Sequence, residues 1–477
     1  MCFSPTAIQP PQRTTPTLMF VNRQALGSYV CALSGFVAGP LIHHHRGASR
    51  APRSSDTSLA VRPARARQPR RMARTGHHVL RALVVRAGRR AAPGRDEVAS
   101  GPCARQPGTR GAGARQASAD DTMVPWPTMV ATAVLLVGAG PAGLAAADAL
   151  ARAGLEFDWI DRHGAVGGAY RRMYPALELA SPARHSALPG LPIDATGEYV
   201  RAGDYARYLE RFAARIGRTP RRADLAELAR DGGSLRARTD VAELGRYRAA
   251  VIATGMFDTP RPLDVPGLAD APGLRVLHAR DWRGPAELAG ARLLVVGGGM
   301  SGVEIAEETA RAGFATTHAA RRPVRTIQPR ILGRELHDWA VLLERLPVPR
   351  WTKLCRGDAR LPAIDRGFQG LVRAGRIALR PALVAVTGQC ARFADGSEQD
   401  FDVIVCATGY RYATPFLPAE IARHENGMPI LRRGRSASWP ELHFIGLPCT
   451  GGADSAYLRG VGADAARTAR RLSRTDA

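Results

Sequence analysis

The stretch VLLVGAGPAGLAAADALARAG begins at Val134, and LLVVGGGMSGVEIAEETARAG begins 159 residues later in the same register. Each copy is an apolar run, a glycine turn of the form GxGxxG and a helical pattern closed by Arg-Ala-Gly. Gly138, Gly140 and Gly143 fall over Gly297, Gly299 and Gly302, and Arg152-Ala153-Gly154 over Arg311-Ala312-Gly313. Such a chain must build the strand–turn–helix unit twice, and each copy needs a sheet to bury its strand. Further apolar runs, LEFDWID, RYRAAVIATG, FATTHAA and FDVIVCATGY, alternate with helical patterns. The sequence predicts an α/β protein with two Rossmann-like, doubly wound dinucleotide-binding domains.

The turn has a physical logic. The first glycine permits a tight bend, the second lets a pyrophosphate approach the backbone, and the third lets the helix lie close to the sheet. Helices opening at Pro141-Ala142 and at Met300-Ser301 then present unpaired N–H groups and a positive dipole end to two phosphates. A lone GxGxxG says little. Here strand, helix and, in the first copy, a distal acid are all in place.

The two copies differ where the next strand ends. Asp161 closes the first, 18 residues after Gly143 and followed by Arg162, whereas Ala320, Arg321 and Arg322 stand there in the second. A carboxylate accepts hydrogen bonds from a free ribose 2′-hydroxyl, and arginine suits a 2′-phosphate. The first site therefore fits the adenosine half of FAD and the second fits NADP. The bland alternatives are a strand-end turn residue for Asp161 and two solvated arginines for Arg321 and Arg322. Thr254-Gly255 and Thr408-Gly409, each in an Ala-Thr-Gly closing an apolar strand, mark further places where the chain passes close to a ligand.

Composition bears on the remainder. The chain carries 67 Lys+Arg against 42 Asp+Glu, and Lys353 is its single lysine. Residues 1–128 hold 19 Arg and 5 acids and show no sustained periodicity. They read as a disordered, low-complexity, Arg-rich extension unable to bury enough apolar surface to order itself. A targeting segment over 24–42, an RNA-binding tail and spurious upstream translation are the other readings of this region. His43, His44 and His45 look compositional, and no metal site is expected. The seven cysteines (Cys2, Cys31, Cys103, Cys355, Cys390, Cys406, Cys449) are scattered with no CxxC. They suggest thiols in a reducing compartment, hence a cytoplasmic protein.

From Val130 to Leu472 the sequence resembles the two-dinucleotide-binding-domain flavoproteins, and among them the class B flavin monooxygenases, which include flavin-containing monooxygenases, N-hydroxylases and Baeyer–Villiger enzymes. The resemblance rests on DRHGAVGGAYRRMYPALELASPARHSALPGLP, ATGMFDTPRPLDVPG, VVGGGMSGVEIA, AARRPVR and CATGYRYATPFLP. It implies that Gly167, Gly168 and Tyr170 form a turn near the flavin, with Tyr in place of the usual Trp. His278 with Trp282 matches the end of the family's linker signature, although Pro272 and Leu274 stand where Phe and Gly are usual. Arg283 after the Trp, and Ala176 and Ala180 near Tyr174-Pro175, depart from the Baeyer–Villiger pattern, so ketone oxygenation is not assigned. His278, Trp282 and Tyr170 are the candidates for a catalytic role. His278 serves equally well as a linker residue without chemistry.

The resemblance further implies an NADPH-dependent flavoprotein monooxygenase. NADPH reduces FAD, O2 adds to the reduced flavin as a peroxide, and one oxygen atom passes to an amine, sulfide or ketone. The implied partners are a small-molecule substrate and O2, with no nucleic acid and no membrane, and a homodimer is the assembly to test for. The expected organisation is an FAD-binding domain in two parts, 129–262 and 411–477, flanking an NADP-binding domain, 263–410. Two other readings stand beside it: an NADPH-dependent flavoprotein reductase without a redox-active disulfide, and a dinucleotide-binding protein without turnover. A hydrolase is excluded, because Val303 occupies the last glycine position of a nucleophile elbow.

Overall fold

A computed structural model of the protein describes residues 133–288, 290–344, 352, 355–357 and 359–474. The expected N-terminal extension, with its three histidines and the 24–42 run, lies outside the described residues.

Twelve strands form two central sheets, numbered along the chain: β1 Val134–Val137, β2 Phe157–Asp161, β3 Arg221–Arg222, β4 Ala249–Ile252, β5 Arg275–His278, β6 Leu293–Val296, β7 Thr316–Ala319, β8 Ile377–Arg380, β9 Val403–Cys406, β10 Leu431–Arg432, β11 Arg435–Ser436 and β12 Leu442–Phe444. The helices are α1 Pro141–Arg152, α2 Ala202–Ile216, α3 Met300–Arg311, α4 Leu336–Leu343, α5 Phe368–Arg373 and α6 Leu458–Ser473. The first sheet has the order β10–β11–β12–β4–β1–β2–β3, and the second β8–β7–β6–β9–β5.

The same local rule builds both. β1 lies parallel between β2 and β4, and β6 parallel between β7 and β9. All four residues of β1, β4, β6 and β9 are buried, which is why these strands read as unbroken apolar runs rather than alternating ones. Val134 and Leu136 pack under α1, α2 and α6. Leu135 and Val137 face the opposite way, onto an antiparallel three-stranded sheet, Leu225–Asp231, Ser234–Thr239 and Glu243–Tyr247. The second sheet repeats the layering, with α3 and α5 on one face and strands Leu383–Thr387, Cys390–Phe393 and Glu398–Asp400 on the other. The strands Cys390–Phe393 and Glu398–Asp400 are joined by a hairpin turned by Gly396 at φ +81° and tied by the Asp395 carboxylate accepting from Ser397 N–H. α6, which begins at Leu458, packs on α1 through Val461, Ala465 and Ala469.

The chain passes from the first sheet to the second and back through segments that run side by side. Thr259–Pro260 pairs antiparallel with Tyr410–Arg411. Arg261 N–H donates to the Gly409 carbonyl at 2.9 Å, and the Thr408 hydroxyl donates to the Arg261 carbonyl.

One expectation needs correction. The cysteines do not all remain thiols, because Cys355 and Cys449 form a disulfide across 94 residues of sequence. Spacing could not reveal a pair brought together only by tertiary folding. The inference of a reducing compartment loses its support accordingly. Cys390 and Cys406 are free. No helix among the described residues is long and apolar enough to cross a membrane.

Candidate functional site

The two glycine turns have the same atomic geometry. A Cβ on Gly138 would meet the Ala253 carbonyl oxygen at 2.5 Å, and one on Gly297 the Ala407 oxygen at 2.1 Å. Both glycines have positive φ, +108° and +140°. A Cβ on Gly143 would lie 2.0 Å from the Gly138 oxygen, and one on Gly302 1.9 Å from the Gly297 oxygen. The middle glycines are different. At Gly140 the nearest atom is 4.0 Å away, at Gly168, and at Gly299 nothing lies within 4 Å. The outer glycines are thus required by the protein's own packing, while the middle ones face free space.

Gly140 and Gly299 are also the N-caps of α1 and α3, and neither helix has a side chain capping its first turn. The N–H groups there are left for an anion. Both turns are braced by donors that the sequence reading missed. Trp159 Nε1–H donates to the Gly138 carbonyl at 2.9 Å, and His318 Nε2–H to the Gly297 carbonyl at 2.8 Å. These two residues are also 159 apart, so they occupy matching positions in the two copies. Burial lowers the His318 pKa and keeps the ring neutral.

A cleft partly open to solvent runs from the first turn. Gly138, Gly140, Pro141, Ala142, Asp161 and Arg162 line one part of it, and Gly168, Tyr170, Thr254 and Gly255 another. Gly143 lies beneath the turn, and Gly167 (φ +111°) shapes the second loop by donating its N–H to the Ala139 carbonyl. The Asp161 carboxylate accepts from Ala139 N–H at 3.0 Å and from His163 N–H at 2.8 Å. Each oxygen keeps a lone pair for a ribose hydroxyl. The space at Gly140, the uncapped helix and the oriented carboxylate fit the adenosine diphosphate half of a flavin dinucleotide. Arg162 is already engaged, by Asp258 at 2.6 Å and Asp224 at 3.5 Å. Tyr170 stands edge-on to Tyr205, and burial pushes its hydroxyl up to about 12. Residues distant in sequence complete the walls, among them Phe257, Arg411, Gly446 and Tyr457.

Around the second turn, Met300 and Ser301 open α3, and the Met300 sulfur accepts from Ile364 N–H. Arg321 and Arg322 are exposed and make no hydrogen bond or ion pair within the described residues. Two free guanidinium groups at this strand end suit a phosphate monoester. Thr408 and Gly409 sit at the return crossing already described.

The remaining catalytic candidates are structural in their surroundings. His278 Nε2–H donates to the Gly409 carbonyl at 3.2 Å, and Nδ1 accepts from Arg280 N–H at 3.1 Å. Burial lowers its pKa, and the ring lies against Tyr410. With both nitrogens taken by backbone, it braces the crossing. Trp282 is 1% exposed in the core of the second sheet, with its indole N–H donated to Glu308. Neither residue lines the cleft.

Comparison with known proteins agrees with this geometry. Residues 135–335 match the family model for pyridine nucleotide-disulphide oxidoreductases, and residues 356–441 that for flavin-binding monooxygenase-like proteins. The chain is 32% identical over 314 residues to indole-3-pyruvate monooxygenase YUCCA1 of Oryza sativa subsp. japonica, covering 59% of this chain and 77% of that protein. An uncharacterized CzcO-like oxidoreductase of Geobacillus kaustophilus is 28% identical over 341 residues, 70% of this chain and 95% of its own. In structure, a double mutant of a flavin monooxygenase from Stenotrophomonas maltophilia superposes with a TM-score of 0.62 at 25% identity, covering 73% of this chain and all of that one. These likenesses, falling on a chain that builds the same glycine turn twice, make it a member of the class B flavin monooxygenase family, whose members are flavin-carrying oxidoreductases.

Proposed function

We propose that the protein is an FAD- and NADPH-dependent monooxygenase acting on a small organic substrate. In this reading residues 129–262 and 411–477 hold FAD, and residues 263–410 hold NADPH. The observation that carries it is the contrast between the two strand ends: an oriented carboxylate at Asp161, and exposed arginines at 321 and 322 that pair with nothing among the described residues. Bound FAD would accept a hydride from NADPH and, once reduced, activate O2.

The chain's own part is binding, orientation and exclusion of water. Gly140 and the α1 amino end receive the FAD pyrophosphate, Asp161 the ribose, and Gly168, Tyr170, Thr254 and Gly255 border the deeper cleft. Gly299, Ser301 and the α3 amino end receive the NADPH pyrophosphate, and Arg321 with Arg322 its 2′-phosphate. His278 holds the crossing between the two parts. Tyr170, kept protonated by burial, offers a neutral hydroxyl and an apolar ring that deny water a place in the cleft.

The first substrate class to test is suggested by the names of the relatives rather than by the cleft. A 2-oxo acid such as indole-3-pyruvate is the first to test, followed by amines, sulfides and ketones. The purified protein should retain FAD, be reduced by NADPH without air, and on adding O2 form oxygenated product from one of these, with little hydrogen peroxide. Reduction followed by complete release of peroxide with every substrate argues for a reductase. In that case the Cys355–Cys449 pair is the disulfide to examine. Absence of bound flavin would argue for dinucleotide binding without turnover.

A further inference from the structure

Glu304 sits on α3, two residues after Gly302, with its side chain 15% exposed. Its Oε2 accepts a 2.7 Å hydrogen bond from the Tyr174 hydroxyl. Tyr174 follows Tyr170, which lines the first cleft, by four residues, yet it packs with Val303 and Leu293 in the core of the second sheet. One contact thus joins the turn at the FAD side to the helix whose amino end faces the other nucleotide. Arg366 reinforces it. Its guanidinium lies 4.0 Å from Glu304 and 3.3 Å from Glu178, donates to the Leu179 carbonyl at 2.9 Å, and stacks over the Tyr199 ring.

We propose that Tyr174 and Glu304 form a clasp that holds α3 in place against the FAD-side turn, which makes both of them positioning residues for hydride transfer. This rests on the FAD and NADPH assignments above. Hydride transfer is steeply sensitive to geometry, and misplacement by about 1 Å can slow a reaction on the order of a hundredfold. A buried charge-assisted hydrogen bond is a means of fixing that relation.

The clasp has a built-in readout. Burial pushes Glu304 up to about 7, with Glu307 and Glu178 acting in the same direction and the Tyr174 hydroxyl and Arg366 opposing. Burial and the Glu304 charge together raise Tyr174 far above the ordinary phenol range, so it stays the donor. Glu308, the other carboxylate near Tyr174, is itself raised by burial. Ionisation of Glu304 strengthens the hydrogen bond and the pull of Arg366, and protonation weakens both.

The test compares the FAD-loaded wild type with Tyr174→Phe, Glu304→Ala and Glu304→Gln. It measures flavin reduction by saturating NADPH without air between pH 5.5 and 8.5, together with thermal unfolding of the flavin-free proteins over the same range. The clasp requires the wild-type reduction rate to rise through about pH 7. It requires Tyr174→Phe and Glu304→Ala to reduce about tenfold more slowly at pH 8. Glu304→Gln, which keeps an acceptor for Tyr174, should come within about threefold of wild type and lose the pH dependence. In unfolding, wild type should fall relative to Glu304→Gln as pH rises from about 4.5 through about 7, because a carboxyl raised in the folded state binds protons there that the unfolded chain has released. Rates and pH profiles indistinguishable among all four proteins would overturn the clasp alone. A wild type that NADPH does not reduce would overturn the nucleotide assignment and the clasp with it.

Discussion

The indole of Trp159 donates its N–H to the carbonyl oxygen of Gly138 at 2.9 Å, bracing the bend that opens the first glycine turn. His318 does the same for Gly297, 159 positions later. Each donor satisfies the carbonyl of its bend, buried at Gly138 and half-buried at Gly297. Trp159→Phe and His318→Leu should each destabilise the protein by roughly 1 to 3 kcal/mol, read by urea denaturation. Trp159→Phe should also lower flavin retention, while His318→Leu leaves it unchanged. Loss of flavin from the His318 variant would break the assignment of one turn to each nucleotide.

The three glycines of each turn should separate fold from binding. Gly140→Ala and Gly299→Ala meet no atom closer than 4.0 Å, so both should fold with stability within about 0.5 kcal/mol of wild type. The first should nonetheless lose flavin, and the second should bind NADPH at least tenfold more weakly. Gly143→Ala would set a methyl 2.0 Å from the Gly138 oxygen and should yield little folded protein. A folded, flavin-free Gly143→Ala would mean the turn yields more readily than its packing indicates.

Replacing Arg321 and Arg322 together by Ala should leave the melting temperature unchanged, because neither has a partner among the described residues. NADPH affinity should fall with each charged hydrogen bond lost, worth roughly 1.5 to 3 kcal/mol, while NADH affinity stays the same. Steady-state kinetics with both cofactors decides this. Equal losses would return the two arginines to the solvated surface.

The cross-link between Cys355 and Cys449 should raise stability by roughly 2 to 4 kcal/mol, chiefly by restricting the unfolded chain. Cys449→Ser should lower the melting temperature, and added reductant should lower that of wild type but not of the variant. Cys390→Ser provides the control, since Cys390 is free.

His443 is 3% exposed on β12, and burial with Arg435, Arg471 and Arg248 nearby lowers it from its ordinary value to about 3. The unfolded chain takes up a proton near pH 6.5 that the folded protein refuses. Stability is therefore complete above about pH 6.5 and is lost as pH falls toward 3. At pH 5 the loss from this group is about 2 kcal/mol. His443→Leu should flatten that acid branch in a series of denaturation curves, and an unchanged slope would locate the acid sensitivity elsewhere.

What could be read in advance was local. The alternation of buried strand and helix, and glycines whose neighbours within a few residues demand them, are properties of short windows, so two Rossmann-like units were legible from apolar runs and spacing alone. The matching donors Trp159 and His318 were present in the aligned copies but silent, because nothing in a tryptophan or a histidine announces a partner 21 residues earlier. The Cys355–Cys449 bond, the Tyr174–Glu304 contact and the backbone partners that occupy both nitrogens of His278 join residues 94, 130 and up to 131 positions apart. Packing of one sheet unit against the other brings the first two pairs within bonding distance, and the pairing of neighbouring strands in the second sheet brings His278 to Gly409. Sequence alone determined which turns could cradle a dinucleotide, because backbone conformation and helix dipoles are set within a few residues. Tertiary structure alone decided which side chains stand free, which are held and which titrate near neutrality, because those properties depend on what the rest of the chain places around them.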